Sequence, residues 1–326
     1  MSSDVQLLGI SNAIVDVLAH VEPDFLDRLG AVPGSMTLVD EQRAHEIYGM
    51  MGPATEMSGG SVANSVAGFA LLGGSAAYIG KVRSDQLGEI FNHDMRALGV
   101  DVRLPPSKNC APTARSHVLI TDDGQRTMQT FLGACTELAA ADVTEDTVRS
   151  PKVTLIEGYI WDIAEGPALA RQAIDIARKN GTTVALSLSD SFCVERHKAS
   201  FAAAVEDGVD IVMADEDEIN MLLGTNNIDE TLAAIEGRDN LFVITRADKG
   251  SVIYQGGETV TQAADTVEKV VDTTGAGDAY TAGFLYGWAQ GWSLQDAARL
   301  GTHAATNVIQ RVGARIDAGL MDSFSR

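Results

Sequence analysis

Short apolar runs alternate along the chain with stretches whose apolar residues recur every three or four positions. Residues 153–156, 184–188, 209–213 and 241–245 are rich in Val, Ile and Leu, the pattern of strands buried on both faces. Residues 166–179 and 191–206 carry helical spacing between them. Leu87, Ile90, Phe91, Met95 and Leu98 show the same spacing ahead of Gly99, a stop signal. Strand alternating with helix predicts an α/β fold, a parallel sheet covered by helices on both faces.

Two regions break the alternation. Residues 14–21 follow the first strand with no helix between and are expected to form another strand. Residues 115–120 and 126–132 flank Thr121-Asp122-Asp123-Gly124-Gln125, a hairpin signal because Gly accepts positive φ. Together with residues 36–39, these pieces predict a small sheet standing off the main one, drawn from segments near 13–22, 34–41 and 112–133. Such a sheet serves either as a lid that excludes water or as an edge extension or dimer contact. No repeat, low-complexity tract or long linker divides the chain, so residues 1–326 are expected to form one domain with that appendage.

Composition narrows the partners. A formal net charge of −21 repels phosphate backbones and anionic lipid, which argues against nucleic acid and membrane as partners. An anionic ligand would need a local site of backbone N–H groups, a few basic side chains or a metal ion. The three cysteines, Cys110, Cys135 and Cys193, are odd in number and form no C-x-x-C pair. With no run of about 18 apolar residues and no signal-peptide pattern at the start, a cytoplasmic location is expected.

Several familiar signatures fail. The stretch around Gly80-Lys81 lacks the spacing and the Ser or Thr of a Walker loop. Gly275-Ala276-Gly277-Asp278 has no third glycine for a dinucleotide fingerprint, and the protein-kinase motifs are absent. One segment does carry chemistry: Val271-Asp272-Thr273-Thr274-Gly275-Ala276-Gly277-Asp278-Ala279-Tyr280. A strand at 267–271 is expected to run through its glycine turn into a helix. Gly275, Ala276 and Gly277 let the backbone approach a ligand, and the first helical N–H groups sit at the positive dipole end, an anion hole. Asp278 in the first turn is placed to accept the proton of an attacking hydroxyl. Taken alone, Asp278 is equally a favourable acid at a helix start.

This segment resembles the C-terminal signature of the ribokinase-like (PfkB) family of carbohydrate and nucleoside kinases. Gly59-Gly60-Ser61-Val62-Ala63-Asn64 resembles the same family's N-terminal glycine-glycine-x-x-x-asparagine segment, and the similarity runs from Gly9 to Gly313. The resemblance implies a three-layer α/β/α core with a small β lid, ATP as phosphoryl donor with Mg²⁺, and K⁺ in some relatives. Carried over, Asp16 and Asn64 bind sugar hydroxyls with help from the backbone at Gly60 and Ser61, and Gly275 to Asp278 perform the transfer. Asp16 is otherwise a surface strand acid, and Asn64 a solvent-facing helix residue. Asp215 and Glu218 match the family's water-mediated Mg²⁺ motif, with Asp215 in place of Asn; their other reading is an acidic helix start. Thr245, Gly250 and His303 resemble nucleotide contacts, and Arg126 on the hairpin would reach a phosphate or remain a solvated charge.

Three details are similar to the adenosine-kinase members of the family. Asn12 precedes Asp16 by four residues, 187–192 is similar to an asparagine-leucine-serine-x-x-phenylalanine stretch with Ser187 in place of Asn, and Met36 and Leu38 offer apolar surface to a flat base. Phe131 and Tyr159 are further base contacts or, equally, packing residues. The expectation is phosphorylation of the 5′-hydroxymethyl of adenosine to AMP. A ribokinase- or fructokinase-type enzyme and an inactive nucleoside- or sugar-sensing protein are the alternatives. The partner is a small nucleoside or sugar, and the chain is a monomer or a homodimer joined through the lid.

Overall fold

The computed structural model describes residues 5–122 and 124–326, so the hairpin turn residue Asp123 lies outside the described residues. In chain order the strands are β1 (Leu7–Ile10), β2 (Ile14–His20), β3 (Met36–Leu38), β4 (Thr55–Gly59), β5 (Ala76–Ile79), β6 (Asp101–Val102) and β7 (Ala114–Ile120). They continue with β8 (Arg126–Phe131), β9 (Val153–Glu157), β10 (Thr183–Ser187), β11 (Ile211–Asp215), β12 (Leu241–Thr245), β13 (Ser251–Gln255) and β14 (Glu258–Gln262).

A nine-stranded sheet runs β14-β13-β12-β11-β10-β9-β1-β5-β6. It is parallel from β12 through β6, and β13 and β14 form an antiparallel edge. Alternation along each strand sends residues to opposite faces. Leu8, Ile156 and Ile244 join one core with the helices Gly166–Lys179, Ser191–Asp207 and Glu216–Leu223. Leu7, Leu155 and Val243 join the other with Ser61–Leu71, Gln86–Ala97 and Ala276–Ala289. Each fully buried Leu or Ile contributes roughly 1.5–3 kcal/mol. The chain winds one way from β1 through β5 to β6 and the other way through β9 to β12. Strand order therefore reverses between β1 and β9, and ligands of such sheets bind in the crevice beyond the carboxyl ends there.

The second sheet has five strands, β3-β8-β7-β2-β4. β2 follows β1 within a few residues and pairs parallel with β7 and antiparallel with β4. Its Val15, Val17 and Ala19 are buried, so Asp16 projects from the opposite face. β7 and β8 pair antiparallel, with Ile120 opposite Arg126. β4 was not among the segments expected for this sheet; its sequence, Thr-Glu-Met-Ser-Gly, has no clear apolar alternation.

The strand expected at 267–271 is absent. That stretch is irregular and is held instead by the Val271 and Asp272 amides, which donate to the Ile309 carbonyl at 2.8 and 3.2 Å. Helices Ser61–Leu71 and Ala276–Ala289 pack closely, since a Cβ on Gly68 would come within 2.8 Å of the Ala282 Cβ. Among the described residues no helix is long and apolar enough to cross a membrane.

Candidate active site

Asp278 lies in the first turn of Ala276–Ala289, whose N-cap Gly275 is left-handed at φ 76°. A side chain at Gly275 would also strike Ala314, its Cβ 2.5 Å away. The Gly277 and Asp278 amides have no acceptor among the described residues, and Gly277 faces open space. Unpaired amides at a helix N-terminus fit a phosphate group. The Asp278 carboxylate accepts from Ser61 Oγ at 2.6 Å and from Asn64 Nδ2 at 3.0 Å. Burial pushes it up to about 6, against the pull of those hydrogen bonds and of Arg315.

Arg315 organises the neighbourhood. Its Nη1 donates to Asn64 Oδ1 at 2.7 Å, and its Nη2 donates to the Ser58 carbonyl at 2.6 Å and to Ser58 Oγ at 2.9 Å. Asp16 stands over the backbone of β4: a Cβ on Gly59 would meet Asp16 Oδ2 at 2.3 Å. Burial raises Asp16 to about 6, Arg315 and Arg126 draw it back, and Asp278 pushes it up. Arg315 links the surroundings of the two acids: it bonds Asn64, which holds Asp278, and Ser58, next to the Gly59 backbone that Asp16 stands over.

Glu157 lies at the carboxyl end of β9, where strand order reverses. It is 1% exposed. Its Oε2 accepts from the Asn12 amide at 2.8 Å and its Oε1 from the Val62 amide at 3.2 Å. Burial is the main force lifting it to about 7. Glu157 thus ties the loop after β1 to the helix that carries Ser61 and Asn64. Among the described residues the buried Asn12 Oδ1 has no partner, an acceptor suited to a ligand hydroxyl. Gly60 caps that helix at φ 98°. Sequence reasoning missed Glu157 and Arg315. An acid closing an otherwise apolar strand, and a lone arginine just past Gly313-Ala314, were the available signals.

Beyond the acid pair, Asp215 and Thr245 face each other at the carboxyl ends of β11 and β12. Asp215 Oδ1 accepts from the Glu218 amide at 2.7 Å and Glu218 Oε2 from the Asp215 amide at 2.9 Å, a reciprocal cap. Burial, then Asp215, Asp190 and Asp278, push Glu218 up to about 8. Paired carboxylates fit hydrated Mg²⁺, which needs only one or two of them. The nearby Arg246 is committed to Glu216 at 3.0 Å. Gly250, at φ 84°, ends the turn Ala247–Lys249.

Other expected contacts are placed as follows. Arg126 is buried and its Nη2 lies 2.5 Å from Asp272 Oδ2, off the hydrogen-bonding direction. Asp272 also accepts from the Thr274 and Gly313 amides, so the hairpin is ion-paired to the glycine turn. Met36 and Leu38 are exposed on β3. Phe131 carries the Arg115 guanidinium over its ring at 5.3 Å. Burial, reinforced by Asp190, raises the Tyr159 hydroxyl well above its ordinary pKa. His303 Nε2 lies 3.0 Å from Ser323 Oγ, and its ring is 5.7 Å from Phe324, so the C-terminal segment engages it.

Comparison with known proteins supplies the family. Residues 41–319 match the model of the pfkB family carbohydrate kinases. An adenosine kinase from Sinorhizobium meliloti is 46% identical, with a TM-score of 0.90 over 98% of each chain. A probable sugar kinase from Rhizobium etli is 43% identical, also at 0.90, over 98% of this chain and 97% of its own. Among curated proteins, a 5-dehydro-2-deoxygluconokinase of Listeria monocytogenes is 29% identical over 264 residues, 78% of this chain and 81% of its own. Members of the family are phosphotransferases acting on hydroxyl groups and use ATP with a divalent metal. On the match across most of its length, this chain belongs to the pfkB family of carbohydrate kinases.

Proposed function

We propose that this kinase moves the terminal phosphoryl group of ATP to the 5′-hydroxymethyl of a ribonucleoside, with adenosine the leading acceptor. The observation that carries the reading is Arg315, which bonds both Asn64, the partner of Asp278, and Ser58, beside the Gly59 backbone against which Asp16 stands. Asp16 accepts the paired 2′ and 3′ hydroxyls, because one carboxylate takes two hydrogen bonds. Asn12 and Asn64 flank the ring. Asp278 takes the proton of the 5′ oxygen as that oxygen bonds to phosphorus and the bond to the departing ADP oxygen breaks. The amides of Gly277 and Asp278 offset the charge on the moving group. Asp215 and Glu218 would hold Mg²⁺, which neutralises phosphate charge when bound; Thr245, Gly250 and His303 line the nucleotide side. The five-stranded sheet serves as the lid, with Met36, Leu38, Phe131 and Tyr159 as candidate base contacts.

Adenosine is favoured by the 46% identity to the Sinorhizobium enzyme over nearly the whole chain. A sugar acceptor is the second reading, favoured by the curated 5-dehydro-2-deoxygluconokinases and the Rhizobium etli protein. The test is ADP release with ATP and Mg²⁺ against adenosine, other nucleosides, ribose, fructose, fructose phosphates and 5-dehydro-2-deoxygluconate. The nucleoside reading requires the highest kcat/KM on adenosine. A sugar at the top replaces it, and no turnover on any compound leaves a sensing protein.

A further inference from the structure

On the face of the main sheet away from the Asp278 helix lie Asp162, Cys193 and His197. Asp162 ends the turn Gly158–Asp162 after β9. Cys193 and His197 stand one turn apart in Ser191–Asp207, on the same side of that helix. The helix is kinked at His197, with φ −118° and ψ 17°. His197 Nε2 sits 2.7 Å from Asp162 Oδ1, and one ligating atom from each of the three residues lies within 4.8 Å of the others. Cys193 is fully buried, whereas the Asp162 and His197 side chains are 29% and 25% exposed. A thiol at the bottom and a carboxylate and imidazole at the rim leave one side open to solvent.

We propose that Asp162, Cys193 and His197 form a binding site for one soft divalent cation, Zn²⁺ in the first instance, with water as fourth ligand. Sulfur, nitrogen and carboxylate oxygen together select Zn²⁺ or Co²⁺ over Mg²⁺ or Ca²⁺. The ion takes the place of the hydrogen between His197 Nε2 and Asp162 Oδ1. The neutral imidazole then carries its N–H on Nδ1, and the thiol proton passes to solvent. Bonds of about 2.0–2.3 Å follow from small rotations of the two rim side chains. Arg196 grips the same carboxylate, through Nη2 to Oδ2 at 2.6 Å and Nε to Oδ1 at 3.0 Å. A carboxylate oxygen accepts more than one partner, so Arg196 stays in place as the group that orients the ligand.

Occupancy pins the turn after β9 to the start of the helix Ser191–Asp207. Asp190 caps that helix at the Cys193 amide, 2.7 Å away, and the Tyr159 amide donates to Ser189 Oγ at 3.3 Å, so the clamp stiffens the segment carrying Tyr159. This inference is independent of the acceptor substrate.

Co²⁺ titrated into the metal-free full chain, without nucleotide, is expected to saturate at one equivalent with a thiolate-to-cobalt charge-transfer band. Zn²⁺ should abolish the band and raise Tm. Cys193→Ser should remove the band, His197→Gln should weaken binding tenfold or more, and Arg196→Gln should weaken it about tenfold. His197 is partly exposed, so its variant remains informative if Cys193→Ser does not fold. A wild type with no charge-transfer band, or a band unchanged in His197→Gln, overturns the site.

Discussion

Asn64 Nδ2 donates to Asp278 Oδ2 across 3.0 Å, joining residues 214 positions apart in the sequence. The bond exists because Gly68 and Ala282, one turn further along each helix, let the two helices nearly touch. Asn64 receives in turn the Arg315 guanidinium on its other amide atom. The acid is thus held by side chains from two distant parts of the chain before any substrate arrives.

Asp278→Asn removes the base and should lower kcat by about 10²–10⁴-fold while nucleoside Kd stays nearly constant. Near-normal turnover in a coupled ADP assay would refute the assignment. The same change should stabilise the fold. Burial raises the Asp278 pKa to about 6, above that of an exposed Asp, so the wild type loses stability as pH rises from about 4 to 6. The Tm advantage of the Asn variant should be full above that value and fade toward pH 4.

On the proposed mechanism Asp16 and Asp278 must both be ionised to bind the diol and take the proton, and burial lifts each to about 6. kcat/KM should therefore fall steeply below about pH 6, with a slope approaching two on logarithmic axes. A profile flat to well below 6 contradicts the two-carboxylate scheme.

Glu157→Ala leaves the Asn12 and Val62 amides without their acceptor, at a cost of about 1–3 kcal/mol per group. KM for the nucleoside should rise more than kcat falls. Glu157→Gln keeps one good acceptor but cannot ionise. The wild-type KM should increase as pH drops through about 7, where Glu157 protonates, and that of the Gln variant should not. Parallel pH dependence in both proteins assigns the effect elsewhere.

Gly68→Ala forces the two helices apart and should destabilise by roughly 1–3 kcal/mol in urea unfolding. Stretching the Asn64–Asp278 contact should lower kcat as well. The compensating pair Gly68→Ala with Ala282→Gly should recover kcat, less about 1 kcal/mol of stability for glycine inside a helix. Full activity in the single variant would show that helix spacing does not set the geometry of the acid.

Much of this architecture was legible beforehand. Residues 166–179 and 241–245 coincide with an observed helix and strand because each has one unambiguous period and clear stops. The glycine turn before Asp278 was readable because the whole run from Asp272 to Tyr280 resembles a family signature, whereas Gly-Ala-Gly-Asp alone reads equally as a helix start. The strand expected at 267–271 failed because β-branched residues there make no sheet contacts; the segment is tied to Ile309 instead. Glu157 and Arg315 escaped because their meaning lies in what surrounds them. An acid at a strand end looks ordinary until Asn12 and Val62 converge on it, and that convergence is tertiary.

Asp16 belongs to the small sheet, whereas Asp278 belongs to a helix packed on the large one. On the proposed roles, substitutions across β2, β3 and β8 would retune how the acceptor is grasped while Asp278 keeps its Ser61 and Asn64 partners, a division of labour that would let one scaffold accept new metabolites by drift at its smaller part.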